Sequence, residues 1–214
     1  AVLRPVKLTI TNYPEGQSES FQVENNPNRP KDGTREVPFS RELYIEAEDF
    51  LETPVPKYKR LFPGGPECRL KGAYLVHCTG CVKDEAGNIV EVLCEYDPDS
   101  RGGDPADGRK VKGATIHWVD AATALDAEVR LYDNLFSDAD PDGGDKNFLD
   151  CLNPGSLEVL SGAKVEAGLK DAAAPASFQF LRQGYFCVDN RDSAPGHLVF
   201  NRSVGLKDSF KVTK

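Results

Sequence analysis

The chain is predicted to be all-β. Apolar residues recur at every second position in run after run, turn-forming clusters separate those runs, and helical periodicity is nearly absent. The first strand is Val6, Leu8 and Ile10 alternating with Lys7, Thr9 and Thr11, a pattern that buries one face and wets the other. A turn rich in Pro, Asn and Gly follows at residues 27–33, and a short helical turn is expected at residues 47–50. After the turn Pro63-Gly64-Gly65-Pro66, Cys68 and Leu70 should point inward from a strand whose Arg69 and Lys71 point outward. Further turns occupy residues 84–88 and 97–105, and beyond them Ile116 and Trp118 share one strand face directed into a core. Ala127, Val129 and Leu131 alternate with Glu128 and Arg130, a helix is expected at residues 145–152, and the Asn153-Pro154-Gly155 breaker should end it. Phe178 and Phe180 supply core from a strand whose Gln179 faces out.

Many short strands across 214 residues suggest two small antiparallel β-barrels or sandwiches with few short helices. The Gly/Asp/Pro-rich segment near residues 100–112 marks the expected division. The first barrel is then residues 1–106 and the second residues 107–214, with the last strands free to return to the first. No internal repeat is evident in the sequence.

The formal net charge of −8 argues against indiscriminate binding of nucleic acid, so a binding role must rest on a local patch. Residues 1–76 carry 11 basic and 11 acidic side chains and the remainder 15 and 23, so the negative excess lies in the later part. Within the earlier part, Lys57, Lys59, Arg60, Arg69 and Lys71 form a cationic cluster interrupted only by Glu67. Arg69 and Lys71, like Lys57 and Lys59, stand two apart and project from one face if extended, with Tyr58 between the lysines as a packing or stacking ring. Such a ledge suits phosphates or unstacked bases as well as it suits plain solvation. Gln179 and Arg182 form a second polar group, an amide and a guanidinium that can each make two-point contacts with a base edge.

Other motifs are weaker. Cys78 and Cys81 have the spacing of half a zinc site with no second half, and six cysteines are too few for a disulfide scaffold, so free thiols and no metal are expected. Asp138, Asp140, Asp142 and Gly143 open like a calcium loop, yet Leu149 stands where the bidentate Glu is required. No catalytic residue is expected, because the three histidines lie outside any nucleophile motif and no phosphate-binding glycine loop occurs. No apolar run is long enough for a membrane helix, so no membrane partner is expected. The absence of Met points to a piece of a longer product.

Several strings are more specific: PVKLTITNYPEG, NNPNRPKDGTREVPFS, KYKRL, DPADGRKVKGATIHWV, EVRLYDNLF, FQFLRQGYFCVDN and VFNRSVGLKDSF. Together, from about Pro5 to Phe210, they closely resemble the C-terminal anticodon-binding region of the glutaminyl-tRNA synthetase family. The resemblance implies two antiparallel β-barrels, akin to a ribosomal protein that binds 5S rRNA, gripping an anticodon loop whose three bases are unstacked into separate pockets. It further implies a monomeric cytoplasmic enzyme whose N-terminal catalytic domain, absent here, uses ATP with Mg to attach glutamine. This region would then carry no cofactor, and its partners would be the glutamine tRNA and that catalytic domain.

By the same resemblance, Pro27 and Asn28 line the middle-base region, and Lys59 with Arg60 forms the family's basic pair, Arg60 contacting the third base. Arg69 and Lys71 match two arginines near the first base, while Gln179 and Arg182 approach the middle base. Three positions depart from the pattern: Lys71 replaces an arginine, Lys57 stands where some relatives have glutamine, and Leu181 replaces a glutamate. A further middle-base arginine of the family lies just before the equivalent of Ala1. Arg60 and Gln179 are expected to be exposed, so that replacing either by Ala costs base discrimination and almost no stability. Rival readings are the archaeal or eukaryotic type of glutamyl-tRNA synthetase, a stand-alone rRNA-binding barrel, and a secreted β-sandwich with paired disulfides.

Overall fold

The structure is a computed structural model and describes residues 1–26 and 28–206. Pro27 lies outside the described residues. Strands account for most of the regular structure, and the helical pieces among the described residues are short 3₁₀ turns. The chain packs as two units. One joins Ala1–Asp126 to Gly162–Asp171, and the other joins Ala127–Ser161 to the chain from Ala172 onward.

The first unit contains β1 (Pro5–Ile10), β2 (Ser18–Glu24), β3 (Thr34–Ser40), β4 (Glu42–Glu46), β5 (Cys68–Leu70), β6 (Leu75–Lys83), β7 (Ile89–Tyr96), β8 (Thr115–Ile116) and β9 (Trp118–Asp120). Seven of these form one sheet in the order β8-β5-β6-β7-β1-β4-β9, with β2 and β3 as a separate hairpin. The two outermost strands are consecutive in the chain with only His117 between them, so the sheet curls until its edges are joined covalently, which removes the exposed edges of an open sheet. Alternation does what the sequence requires of it: Val6, Leu8 and Ile10, Cys68 and Leu70, and Ile116 and Trp118 are all buried in one core. Each fully buried Leu or Ile contributes about 1.5–3 kcal/mol. The hairpin adds an aromatic layer, with Phe21 edge-on to Phe39 and Tyr74 at 5.6 and 5.5 Å and Phe39 edge-on to Trp118 at 5.1 Å. The hydroxyls of Tyr13 and Tyr74 donate to Oε1 of Glu19 at 3.0 and 2.7 Å, which satisfies both at the rim.

The second unit is built on a five-stranded sheet, β11-β10-β14-β13-β12, from β10 (Leu125–Tyr132), β11 (Leu157–Val165), β12 (Ser177–Phe180), β13 (Gly184–Val188) and β14 (Leu198–Gly205). Its core is aromatic: Phe180 stacks on Phe186 at 4.3 Å and meets Phe200 at 5.1 Å.

Three features differ from the sequence reading. The division expected at residue 106 falls inside the first unit, because the segment that follows supplies β8 and β9 to the first sheet. Its glycines and prolines mark a surface loop. The piece that rejoins the first unit is residues 162–171, tied by the Val2–Lys164 bridge and by Arg35, which donates to both carboxylate oxygens of Glu166 at 2.6 and 3.0 Å. Secondly, β1 with β7, β5 with β8, and β10 with β14 pair in parallel. Periodicity fixes which face of a strand is buried and says nothing of its partner's direction.

Thirdly, residues 145–152 form a single 3₁₀ turn, Phe148–Cys151, whose first amides are met by the Asn147 side chain accepting from Leu149 N–H. Lys146 is drawn away from any helix, its ammonium 2.6 Å from Oδ2 of Asp138 and 3.3 Å from the Asp140 carbonyl. That ammonium therefore occupies the acidic loop which resembled a calcium site, and it holds the Asp138 carboxyl below the usual range.

Candidate nucleic-acid interface

The cationic ledge of the first unit is assembled by backbone pairing. The amide of Ala114 donates to the Lys59 carbonyl at 2.7 Å, and the Ala114 carbonyl accepts from Arg69 N–H at 3.0 Å. Ala114 thus seats the Lys59 segment beside β5. One step further, the Lys71 amide donates to the Ile116 carbonyl at 2.9 Å, while Nε1–H of Trp118 donates to the Lys71 carbonyl at 3.1 Å. Lys59, Arg69 and Lys71 therefore lie along one hydrogen-bonded frame, with Cys68 and Leu70 buried beneath. Burial pushes the Cys68 thiol up to about 11, so it stays protonated and packs as an apolar group.

Residues 51–61 form a loop closed at its base by two backbone bonds, Leu51 N–H to the Leu61 carbonyl and Leu61 N–H to the Asp49 carbonyl, both 3.0 Å. Lys57 and Lys59 are exposed on this loop. The Tyr58 ring packs 6.3 Å from Phe62 and its hydroxyl donates to the Glu48 carbonyl at 3.0 Å, so it is a packing ring; burial pushes that hydroxyl up to about 12. Lys57 adopts a left-handed backbone, φ 68°, which a side chain enters at a cost of about 1–2 kcal/mol.

Arg60 departs from the sequence expectation. Its Nη1 lies 3.1 Å from Oδ1 of Asp49, whose side chain has no exposure, and also meets Oε1 and the carbonyl of Glu48 at 3.3 and 3.2 Å. The side chain is about one-third exposed, at 34%. Arg60 is thus part of the loop's base as well as of the ledge, its contacts with Asp49 and Glu48 all made through Nη1. Expecting it to be purely exposed overlooked the carboxylate that the fold lays beside it.

Arg69 is held by its other edge. Nε donates to the Gly103 carbonyl, and Nη2 lies 2.9 Å from Oδ1 of Asp104. Gly103 is required there: φ is +95°, and a Cβ would sit 3.0 Å from the Arg69 side chain. Glu67, the one acid within the cluster, is paired with Arg109, which donates to its two oxygens at 2.9 and 2.8 Å and also meets Asp97 at 2.5 Å and Asp107 at 3.0 Å. Arg109 was invisible to the sequence reading because it lies 42 residues from Glu67. The carboxylates beside the ledge are therefore occupied by arginines, whereas Lys57, Lys59 and Lys71 carry no ion pair among the described residues.

Asn28 sits on the β2–β3 loop, its amide accepted by Oδ1 of Asn26 at 3.0 Å, with its side chain exposed. The turn after Lys71 lies beside β2, since a Cβ on Gly72 would be 3.8 Å from the Val23 side chain.

Gln179 and Arg182 belong to the second unit. Gln179 is exposed on β12 and Arg182 is exposed in the turn to β13, also left-handed at φ 67°. Directly across from Gln179 stands Tyr185, 47% exposed, on the same face of the hairpin. Sequence reasoning missed this ring; the available signal was an aromatic residue next to Phe186 in the short apolar run after Gly184, where alternation turns neighbours to opposite faces.

No group of three or more His, Cys, Asp or Glu among the described residues is arranged to hold a metal ion. Cys78 is buried opposite Cys94, their mutual hydrogen bond and burial pushing the Cys94 thiol up, and Cys81 lies half-buried beyond a register shift. All six cysteines are free thiols. No helix among the described residues is long and apolar enough to cross a membrane.

Comparison with known proteins places these residues in context. Residues 1–97 and 115–189 match two family models, each described as the anti-codon binding domain of class I tRNA synthetases (E and Q). The chain is 53% identical over 213 residues to a glutamine–tRNA ligase of Clostridium kluyveri, covering 99% of this chain and 38% of that protein. It is 55% identical over 210 residues to that of Nitrobacter winogradskyi (98% and 37%) and 56% identical over 211 to that of Cupriavidus taiwanensis (98% and 36%). The chain thus spans less than two-fifths of the length of these relatives.

Proposed function

Because this chain belongs to the anticodon-binding family of the class I tRNA synthetases for glutamate and glutamine, we propose that it reads the anticodon of glutamine tRNA. The parent enzyme is a glutamine–tRNA ligase, active in the cytoplasm as a monomer, that joins glutamine to its tRNA with ATP and Mg in an N-terminal catalytic domain. This chain contributes no catalytic group and no cofactor. Its partners are the tRNA and that catalytic domain.

The observation that carries the reading is the state of the cations. On a body of net charge −8, the first unit presents Lys57, Lys59 and Lys71 with no carboxylate partner among the described residues, beside Arg60 and Arg69 whose guanidinium planes are fixed by Asp49 and by Gly103 with Asp104. Preset guanidinium planes suit base edges and stacking, and mobile ammonium groups suit phosphates. Arg60 contacts the third base, Arg69 and Lys71 the first, and Asn28 with Pro27 the middle-base region. On the second unit, Gln179 and Arg182 bear on the middle base, and Tyr185 offers an aromatic face of the kind that unstacked bases pack against. Each well-made base-edge pair contributes about 1–3 kcal/mol of discrimination.

Titration of the chain with fluorescent anticodon stem-loops tests this. Tightest binding is expected for the loop with the glutamine anticodon. Preference for the glutamate loop would transfer the chain to the sister enzyme, and equal binding of all loops would remove the anticodon-reading role.

A further inference from the structure

The segment after the loop at residues 97–105 has a feature that base reading does not use. Arg109 fastens one end of it to Glu67 and Asp97, and Gly113 fastens the other, its amide donating to the Glu67 carbonyl at 3.1 Å. Gly113 must be glycine, since a Cβ would lie 2.2 Å from that carbonyl oxygen. The next residue, Ala114, is the one that bridges Lys59 and Arg69. Between these anchors Lys110 and Lys112 are both exposed, flanking half-buried Val111, and neither forms an ion pair among the described residues. Two ammonium groups with no ion pair among the described residues are thus held on a strap pinned to the backbone of the ledge, while the nearby acids Glu67, Asp97 and Asp107 all turn to Arg109.

We propose that Lys110 and Lys112 form a phosphate clamp that holds the RNA backbone beside the ledge and contributes affinity without base selectivity. The proposal rests on the anticodon-binding reading and adds a site to it. An ammonium carries no planar fork with which to discriminate bases, whereas a point charge on a fixed strap engages a phosphate whatever the nucleotide. Anchoring also lowers the entropy cost of ordering the strap on binding. The alternation of cations about Val111 keeps both charges turned outward.

The test compares the unmodified chain with the Lys110→Gln/Lys112→Gln double variant in titrations against stem-loops carrying the glutamine anticodon and a single-base mismatch, at several salt concentrations. The variant should bind both loops more weakly by a similar factor, about 3- to 30-fold at low salt, with the ratio between loops preserved. The slope of log K against log salt should become shallower by about 1.4, which is about 0.7 for each lost phosphate contact on a single strand. Its melting temperature should match that of the unmodified chain. An unchanged slope in a chain that still binds RNA overturns the clamp alone, as does a changed ratio between the two loops. Failure of the unmodified chain to bind either loop overturns the anticodon reading and the clamp with it.

Discussion

Replacing Arg60 by Ala should destabilise the first unit as well as impair RNA recognition. Asp49 is a carboxylate with no exposed surface in the 3₁₀ turn Ala47–Asp49, and its own carbonyl accepts the Leu61 amide that closes the lysine-bearing loop. Burying a charge costs several kcal/mol unless an opposite charge and hydrogen bonds compensate. With the charges about 4 Å apart at an effective dielectric near 20, the gross attraction is about 4 kcal/mol. Solvent reaches about a third of the Arg60 side chain and screens part of this, and Asp49 retains other interactions. A net loss of about 1–3 kcal/mol follows, equivalent to roughly 2–12 °C in melting temperature for a chain of this size.

Calorimetry or thermal circular dichroism on Arg60→Ala, Asp49→Asn and the double variant measures the coupling directly. The double variant should be more stable than the sum of the single losses requires, by about 1–3 kcal/mol. Arg60→Lys separates the two roles, because it keeps a cation near Asp49 while losing the fork: stability should fall by less than about 1 kcal/mol and third-base discrimination should drop. A melting temperature for Arg60→Ala within 1 °C of the unmodified chain, or additive effects in the cycle, would refute the assignment of Arg60 to the loop's base.

Three other outcomes are expected. Lys57→Gly relieves a left-handed backbone worth about 1–2 kcal/mol against about 0.5–1 kcal/mol of added chain entropy, so stability should hold or rise slightly while stem-loop affinity falls; a clear drop in melting temperature would contradict this. Trp118→Ala removes a ring packed against Phe39 and the donor to the Lys71 carbonyl, and should cost about 3–5 kcal/mol in chemical denaturation. Asp189 accepts from Asn201 Nδ2 and from the amides of Asp192 and Arg191, and these bonds hold its carboxyl down at about 2. A depressed carboxyl stabilises the fold above its unfolded value near 4 and loses that contribution as pH falls toward 2, so Asp189→Asn should flatten acid unfolding in that window.

The strands and their buried faces were legible because alternation is a local property. Val6 to Ile10, Cys68 to Leu70 and Phe178 to Phe180 each carry their own signal, and the outward direction of Arg69 and Gln179 follows from it. What stayed hidden is what depends on partners distant in sequence. Nothing near Arg69 announces that β5 runs parallel to β8, and nothing near Glu67 announces Arg109. The same blindness misjudged Arg60, since formal charge counts a cation as available whether or not a carboxylate sits beside it. The fold then sorts the cations by chemistry. Arg60, Arg69 and Arg109 are engaged by acids that fix their planes, whereas Lys57, Lys59, Lys71, Lys110 and Lys112 are exposed and form no ion pair among the described residues. Spending carboxylates on arginines costs some net attraction for RNA and yields oriented forks. An interface that must distinguish bases needs that exchange, whereas one that merely held an acidic strand would do better without the acids.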